Sequence, residues 1–269
     1  MRYFLLLLFC YPCLCCVAQN NLPISNHRFI VVAHRGNHVA APENTLSAYQ
    51  EAIKAEADYV EVDVRTTKDS ALVIMHDASI TRMTGTEGNV RNFLLDSLRR
   101  IKVRDTLHPE WGLHTIPTFS EVLQLCKGKI NIYVDFKEAS VSAVYAAIMN
   151  AGMEHHVVIY INTPKQYADW RAVAPQIPLM VSLPNNLITK EGLFNFLDNH
   201  PVEVLDGNFN SYNTEMIMAT KKRTVPVWAD IQNADTESNW EKAVKSGIEG
   251  LQTDHPQALI NFLKKTCIR

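Results

Sequence analysis

The chain is poor in the features that mark several protein classes. It has ten glycines among 269 residues and no low-complexity tract. A largely disordered chain is thereby disfavoured, and no glycine-rich nucleotide-binding fingerprint is present: Gly85-x-x-Gly88 is too short and falls in a loop. Basic residues are not in excess. Lys and Arg number 26 against 28 Asp and Glu, for a net charge of −2, so nucleic-acid binding through a broad basic surface is disfavoured. A small polyanionic substrate stays open, because a site needs only one or two local cations. Of six cysteines, four (Cys10, Cys13, Cys15, Cys16) crowd the first sixteen residues. Cys126 and Cys267 cannot make a disulfide scaffold, and their spacing does not decide whether they form a single bridge. Long apolar runs are also missing beyond the N-terminus, so no membrane span is expected in the rest of the chain.

Residues 1–18 read as a secretory signal rather than part of the fold. Arg2 gives a short positive region and Phe4 to Val17 an apolar run interrupted by Tyr11 and Pro12. The run is shorter than the roughly 20 residues a spanning helix needs. Cys16-Val17-Ala18 offers a small-x-small cleavage site before Gln19. The expectation is a secreted, periplasmic protein whose net charge moves to −3 once Arg2 is removed. An uncleaved anchor, or lipoprotein processing at Cys15 or Cys16, is the less favoured alternative, since Leu14 or Cys15 fits poorly before a lipidated cysteine.

Beyond the leader, short β-branched runs alternate with amphipathic stretches. Strands are expected at 29–33, 59–65, 130–136, 157–161, 179–183, 202–206, 225–229 and 250–253, with a short excursion at 71–76. Helices are expected at 45–57, 140–151, 165–174, 189–199, 214–222 and 237–246, where apolar residues such as Leu46, Tyr49, Ala52 and Ile53 recur on one face. Eight parallel β/α units in about 250 residues suit an α/β (β/α)8 TIM barrel. A doubly wound open sheet is the alternative. Residues 78–117 break the rhythm with Gly85, Gly88, Pro109, Gly112 and Pro117. They read as an insertion between the second and third barrel strands.

In such barrels active sites lie at the C-terminal ends of the strands, and charged residues gather there. Glu61 and Asp63 stand two apart on one strand, so their side chains face the same way. Asp135 and Lys137 form a second such pair. Converging carboxylates repel unless a cation neutralises them, and all-oxygen ligands suit Mg²⁺ or Ca²⁺ rather than zinc. The bland alternative is exposed sheet-edge charge. His34 and His76 each follow a strand and precede a charged residue, which suits a general base and a general acid. Arg35 and Lys137 supply cations for a phosphate. Together these groups describe phosphoryl-transfer chemistry better than carbohydrate or hydride chemistry.

The ordered motifs also resemble those of the glycerophosphodiester phosphodiesterase family. They are His34-Arg35-Gly36, Ala41-Pro42-Glu43-Asn44-Thr45, Glu61-Val62-Asp63-Val64, Lys68-Asp69 and His76-Asp77, then Thr81-Arg82-x-Thr84-Gly85 and Ile116-Pro117-Thr118 around the insertion. Val225-Pro226-Val227-Trp228 and the run from Gly247 to Pro256 follow in order. The resemblance covers about residues 29–260 and implies a domain over 27–266. It implies Glu61, Asp63 and Asp135 as metal ligands, His34 and His76 as the acid/base pair, and Arg35 and Lys137 as phosphate ligands. Glu43 would support the metal site and first-strand loop, and Trp228 would be either a wall against the substrate's glycerol or a core packer. The implied reaction is metal-dependent hydrolysis of a glycerophosphodiester to glycerol 3-phosphate and an alcohol, through a cyclic phosphate. Two departures stand out: the family commonly has Glu at the Asp135 position, and Asp230 adds an acid to the rim. The rivals are a phospholipase of the same barrel family acting on lipid or lysolipid headgroups, and a non-catalytic phosphodiester-binding protein. The expected partner is a small phosphodiester, with neither nucleic acid nor a membrane span.

Overall fold

The computed structural model describes residues 21–184, 187 and 189–269; the expected leader lies outside them. The chain begins with β1 (Ile30–Ala33), α1 (Leu46–Lys54), β2 (Tyr59–Thr66) and β3 (Leu72–Ile74). Short elements follow: α2 (Thr81–Thr84), α3 (Leu95–Arg100), β4 (Lys102–Val103) and β5 (His114–Thr115). Regular alternation then resumes. It runs α4 (Phe119–Cys126), β6 (Asn131–Glu138), α5 (Val141–Ala151), β7 (Val157–Tyr160), α6 (Pro164–Val173) and β8 (Leu179–Ser182). It ends with α7 (Lys190–Asn199), β9 (Val204–Asp206), α8 (Thr214–Lys222), β10 (Trp228–Asp230), α9 (Glu237–Ser246), β11 (Gly250–Thr253) and α10 (Pro256–Lys265).

Eight strands pair in parallel in the order β10-β11-β1-β2-β6-β7-β8-β9, and β3 pairs antiparallel with β2. Two parallel bridges, Leu205↔Val227 and Asn208↔Asp230, bring β9 against β10 and complete the ring. The fold is a (β/α)8 barrel, not an open sheet. Strands such as β1, Ile-Val-Val-Ala, are apolar on both faces because helices cover the outside and side chains fill the inside. Inside, Ile30, Val32, Tyr59, Tyr133, Val158, Met180, Val204 and Trp228 form one cluster. It floors the mouth where the strands end.

The helices start where side chains can cap them. Thr45, Ser140, Thr163 and Thr189 accept from backbone N–H groups of the first turn, donors the helix cannot satisfy itself. Thr236 does the same for Asn239 without a Glu or Gln to complete a capping box. Besides the short α2 and α3, two helices exceed the sequence expectation, α4 and α10. The first carries a full box, Thr118 with Glu121. Between β3 and α4 the chain builds a small core of its own from Val73, Met75, Ile80, Met83, Val90, Leu98, Val103 and Ile116. Phe93 and Leu95 pack against it, while Leu94 stays exposed. Cys126 is buried in the main core and Cys267 is exposed; both are free thiols. Burial pushes the Cys126 thiol up to about 12, which makes it an inert packing group. Among the described residues no helix is long and apolar enough to cross a membrane.

One turn links the fold to the site. Gly36 follows β1 at φ +83°, and a Cβ there would lie 2.7 Å from the backbone carbon of Ala48. Gly36→Ala should therefore combine a left-handed backbone with a clash that no side-chain rotation relieves. A loss of about 1–3 kcal/mol is expected, read as a lower urea midpoint. An unchanged midpoint would show that the turn can relax. Arg35 (φ 52°) and Asn44 (φ 56°) are also left-handed, a conformation unfavourable for residues with a Cβ. The strain sits on the loop that carries the candidate site.

Candidate active site

Strand alternation assembles the acids. Glu61 and Asp63 point inward from β2, and the register sets Asp63 opposite Asp135 on β6. The three carboxylates each offer an oxygen within 4.8 Å of the others. Glu61 is 2% exposed and Asp63 fully buried. Burial, with repulsion from Asp63 and Asp135, holds the Glu61 carboxyl well above the usual range. Burial also raises Asp135, with Asp63 adding to the effect and Lys137 opposing it. Isolated burial of such charges is prohibitive without compensation.

Compensation comes from donors on the surrounding loops, on α1 and on β6 itself. The backbone N–H of Arg35 donates to Glu61 Oε2 at 2.8 Å. Asn44 Nδ2 donates to Asp63 Oδ2 at 2.7 Å, and the Tyr49 hydroxyl donates to Asn44 Oδ1 at 2.7 Å, fixing the amide. Asn162 Nδ2 donates to Asp135 Oδ1 at 2.9 Å. The Lys137 ammonium donates to Asp135 and lies 3.2 Å from Asp63 Oδ1. Burial alone would lower the Lys137 pKa; Asp135 and Asp63 outweigh it and raise it. Although close to that ammonium, Asp63 Oδ1 makes no well-directed hydrogen bond. A buried carboxylate oxygen without a donor, in a set of three converging acids, suits a hard divalent cation.

The histidines are each tied to a carboxylate. His34 lies just beyond β1 with Nδ1 2.6 Å from Asp254 Oδ1, and His38 Nε2 reaches the same oxygen at 2.9 Å. His76 Nδ1 lies 2.8 Å from Asp77 Oδ1. An ionised carboxylate only accepts, so the hydrogen sits on Nδ1 of His34 and His76 and on Nε2 of His38; in neutral His34 and His76, Nε2 is the free base. Burial works against ionising Asp254, but hydrogen bonds from His34 and His38 outweigh it and hold the carboxyl well below its ordinary range. Asp77 also overcomes its burial, through Arg82 and His76, and falls to about 2.

Glu43 supports this loop at one remove. It pairs with Arg35 Nη1 at 3.1 Å and Arg82 Nη2 at 2.7 Å, while Arg82 Nε donates to Asp77 at 2.6 Å. Burial raises the Glu43 carboxyl, but the Arg82 hydrogen bond and the charges of Arg35 and Arg82 leave it lowered overall. The chain Arg35–Glu43–Arg82–Asp77–His76 thus joins the loop after β1 to the segment after β3. Arg35 Nε is also 3.7 Å from Asp63 Oδ2.

Trp228 is set apart from these groups. It is 3% exposed, belongs to the cluster inside the barrel, and packs on Tyr59 with ring centroids 4.8 Å apart. That position favours the core-packing alternative over the wall against glycerol. The partners that sequence reasoning did not assign are Asp254, His38, Arg82, Asn162 and Tyr49. Asp254 carried a usable signal as an acid just past the last strand, and Arg82 stood in one of the matched motifs. The others depend on contacts across the fold.

Comparison with known proteins gives a consistent match. The profile of the glycerophosphoryl diester phosphodiesterase family matches residues 34–258. A glycerophosphodiester phosphodiesterase of Caldanaerobacter subterraneus is 27% identical over 243 residues, covering 88% of this chain and 98% of the relative. The fold is similar to the crystal structure of a glycerophosphodiester phosphodiesterase from Agrobacterium tumefaciens. The TM-score is 0.77 at 20% identity, covering 87% of this chain and 99% of that one. An Oleispira antarctica phosphodiesterase, solved in complex with the product sn-glycerol-3-phosphate, gives 0.73 at 21% identity, covering 87% and 96%.

Proposed function

We infer that this chain, which belongs to the glycerophosphoryl diester phosphodiesterase family and is a phosphoric diester hydrolase, cleaves glycerophosphodiesters to glycerol 3-phosphate and an alcohol with a divalent cation and two histidines. The observation that carries this reading is the convergence of Glu61, Asp63 and Asp135 within 4.8 Å, beside two cationic side chains, with two carboxylate-held imidazoles on the flanking strand-end segments. Glu61, Asp63 and Asp135 would hold Mg²⁺ or Ca²⁺, which as a Lewis acid offsets charge developing on phosphoryl and glycerol oxygens.

The remaining chemistry falls to the protein. Arg35 offers a planar fork and Lys137 a point charge to the phosphate's non-bridging oxygens. One of His34 and His76 takes the proton from the substrate's 2-hydroxyl through Nε2 as that oxygen attacks phosphorus. The other, protonated, delivers a proton to the departing alcohol oxygen. The P–O bond to the alcohol breaks and a five-membered cyclic phosphate remains. Water then opens the ring, with the two histidines exchanging roles. Asp254 and Asp77 keep the rings oriented throughout and stabilise each imidazolium as it forms.

The test is a product screen. The purified protein is incubated with a set of glycerophosphodiesters and lysophospholipids, with and without EDTA. Release of glycerol 3-phosphate from the glycerophosphodiesters, suppressed by EDTA, is expected. Turnover of lysophospholipids alone would favour the phospholipase, and binding without turnover the silent binding protein.

A further inference from the structure

Opposite the acid triad, the barrel mouth holds a second polar group that the chemistry above does not use. In the eight-strand ring, β9 and β10 lie across from β2 and β6. The strands on that side contribute Tyr160 from β7, Ser182 from β8, Asp206 from β9, Asp230 from β10 and Gln252 from β11. Register pairs Ser182 with Asp206 and Asp230 with Gln252. Tyr133, two residues before Asp135 on β6, donates its hydroxyl to Asp206 Oδ2 at 2.8 Å, which joins this group to the triad. Tyr160 and Ser182 share a hydroxyl hydrogen bond of 2.7 Å.

The group has more acceptors than donors. Gln252 is only 6% exposed; its Nε2 donates to Asp230 Oδ1 at 2.7 Å, and its Oε1 has no partner among the described residues. Asp230 is partly exposed and takes a second amide hydrogen bond from Gln232 at 3.2 Å. Asp206, 1% exposed, keeps Oδ1 without a donor. Burial and the adjacent Asp230 raise the Asp206 carboxyl. Among the described residues no ion pair includes either acid; Lys137 and Arg35 lie on the far side, against the triad and Glu43. The mouth is therefore polar across its width, with phosphate-binding cations on one side and an uncompensated acid pair on the other.

We propose that Asp230, with Asp206 beneath it and Gln252 beside it, forms the subsite for the alcohol end of the substrate and selects an alcohol bearing a primary ammonium group. The proposal rests on the phosphodiesterase reading and names its substrate class. A primary ammonium supplies N–H donors to acceptors that lack them and a charge to an acid pair that lacks a counter-ion. A quaternary ammonium has no N–H and relies on open aromatic faces, whereas Trp228 packs its ring on Tyr59. A polyol supplies donors but leaves the charge uncompensated.

The test compares kcat/KM of the full chain on the ethanolamine, choline and glycerol esters of glycerol 3-phosphate. The wild type should favour the ethanolamine ester, and Asp230→Asn, which preserves shape, should reduce the ethanolamine-to-glycerol ratio by about tenfold to a hundredfold. Gln252→Met, which removes the Oε1 acceptor together with the Nε2 donor to Asp230 but leaves the charge unchanged, should lower the same ratio and serves if Asp230→Asn does not fold. A wild type that prefers the choline or glycerol ester, or a ratio that neither variant moves, overturns the subsite while leaving the phosphodiesterase reading intact. If the wild type hydrolyses none of the esters, that reading falls. Calorimetric titration with ethanolammonium then decides the subsite: binding weakened by the variant supports it, and absence of binding overturns it.

Discussion

Stripping divalent cations with EDTA should abolish hydrolysis of glycerophosphodiesters, and Mg²⁺ or Ca²⁺ should restore it. The reason is electrostatic crowding: three carboxylates share one small volume, and the cations nearest them, Lys137 and Arg35, are single charges placed to one side. Glu61→Gln should weaken metal binding and activity together. It should not weaken the metal-free fold, because the folded-state Glu61 carboxyl is raised above its ordinary value by burial and by Asp63 and Asp135. Below the ordinary carboxylate pKa both folded and unfolded chains carry the proton, and Glu61 has no effect on stability. As pH rises past that value, the unfolded chain releases the proton first and stability falls. At neutral pH the metal-free wild type bears this penalty and Glu61→Gln does not. Metal-free melting temperatures should accordingly fall with pH more steeply for the wild type, and added metal should stabilise the wild type far more than the variant. Full activity in metal-stripped protein would refute metal dependence. A Glu61→Gln variant with unaltered metal affinity would remove Glu61 from the ligand set.

How much of this was readable beforehand follows from how local each signal is. All eight barrel strands were legible because each is an apolar, β-branched run, and their alternation with amphipathic stretches left few topologies to consider. The triad was legible because i and i+2 on a strand share a face, so Glu61 and Asp63 declare themselves without knowledge of the fold. α4 is not legible, although Thr118 and Glu121 spell out its start, because its 8 residues make barely two turns and leave periodicity little to register. The small core between β3 and α4 is made of two- to six-residue elements, too short for periodicity to register. Trp228 shows how a boundary error changes a role. The strand was expected at 225–229, which sets Trp228 at its end, whereas β10 begins at Trp228, inside the barrel, and Asp230 occupies the mouth. The Asp254–His34 pair spans 220 positions, and nothing local in either residue points to the other.

That pair and its counterpart bear directly on rate. If His34 and His76 transfer the protons, His34→Ala and His76→Ala should each lose roughly 10²–10⁴-fold, chiefly in kcat. The double variant should lose less than the product of the two, because groups acting as a unit are not additive. The pH–rate profile of the wild type should be bell-shaped, with a different limb altered in each variant. Asp254→Asn and Asp77→Asn offer a finer probe. Each keeps the side chain's size but removes the negative charge that fixes Nδ1–H and stabilises the imidazolium. Each should lower kcat with little change in KM, a split that simple loss of packing would not produce. A substrate lacking the 2-hydroxyl should bind through its phosphate yet react poorly, since no internal nucleophile remains to form the cyclic phosphate. The opposite pattern has a clear meaning. If both alanine variants keep near-normal kcat while their melting temperatures drop, the two imidazoles are structural ties between the strand-end loops. The protons must then travel by another route, and water activated at the carboxylate triad becomes the nucleophile to test next.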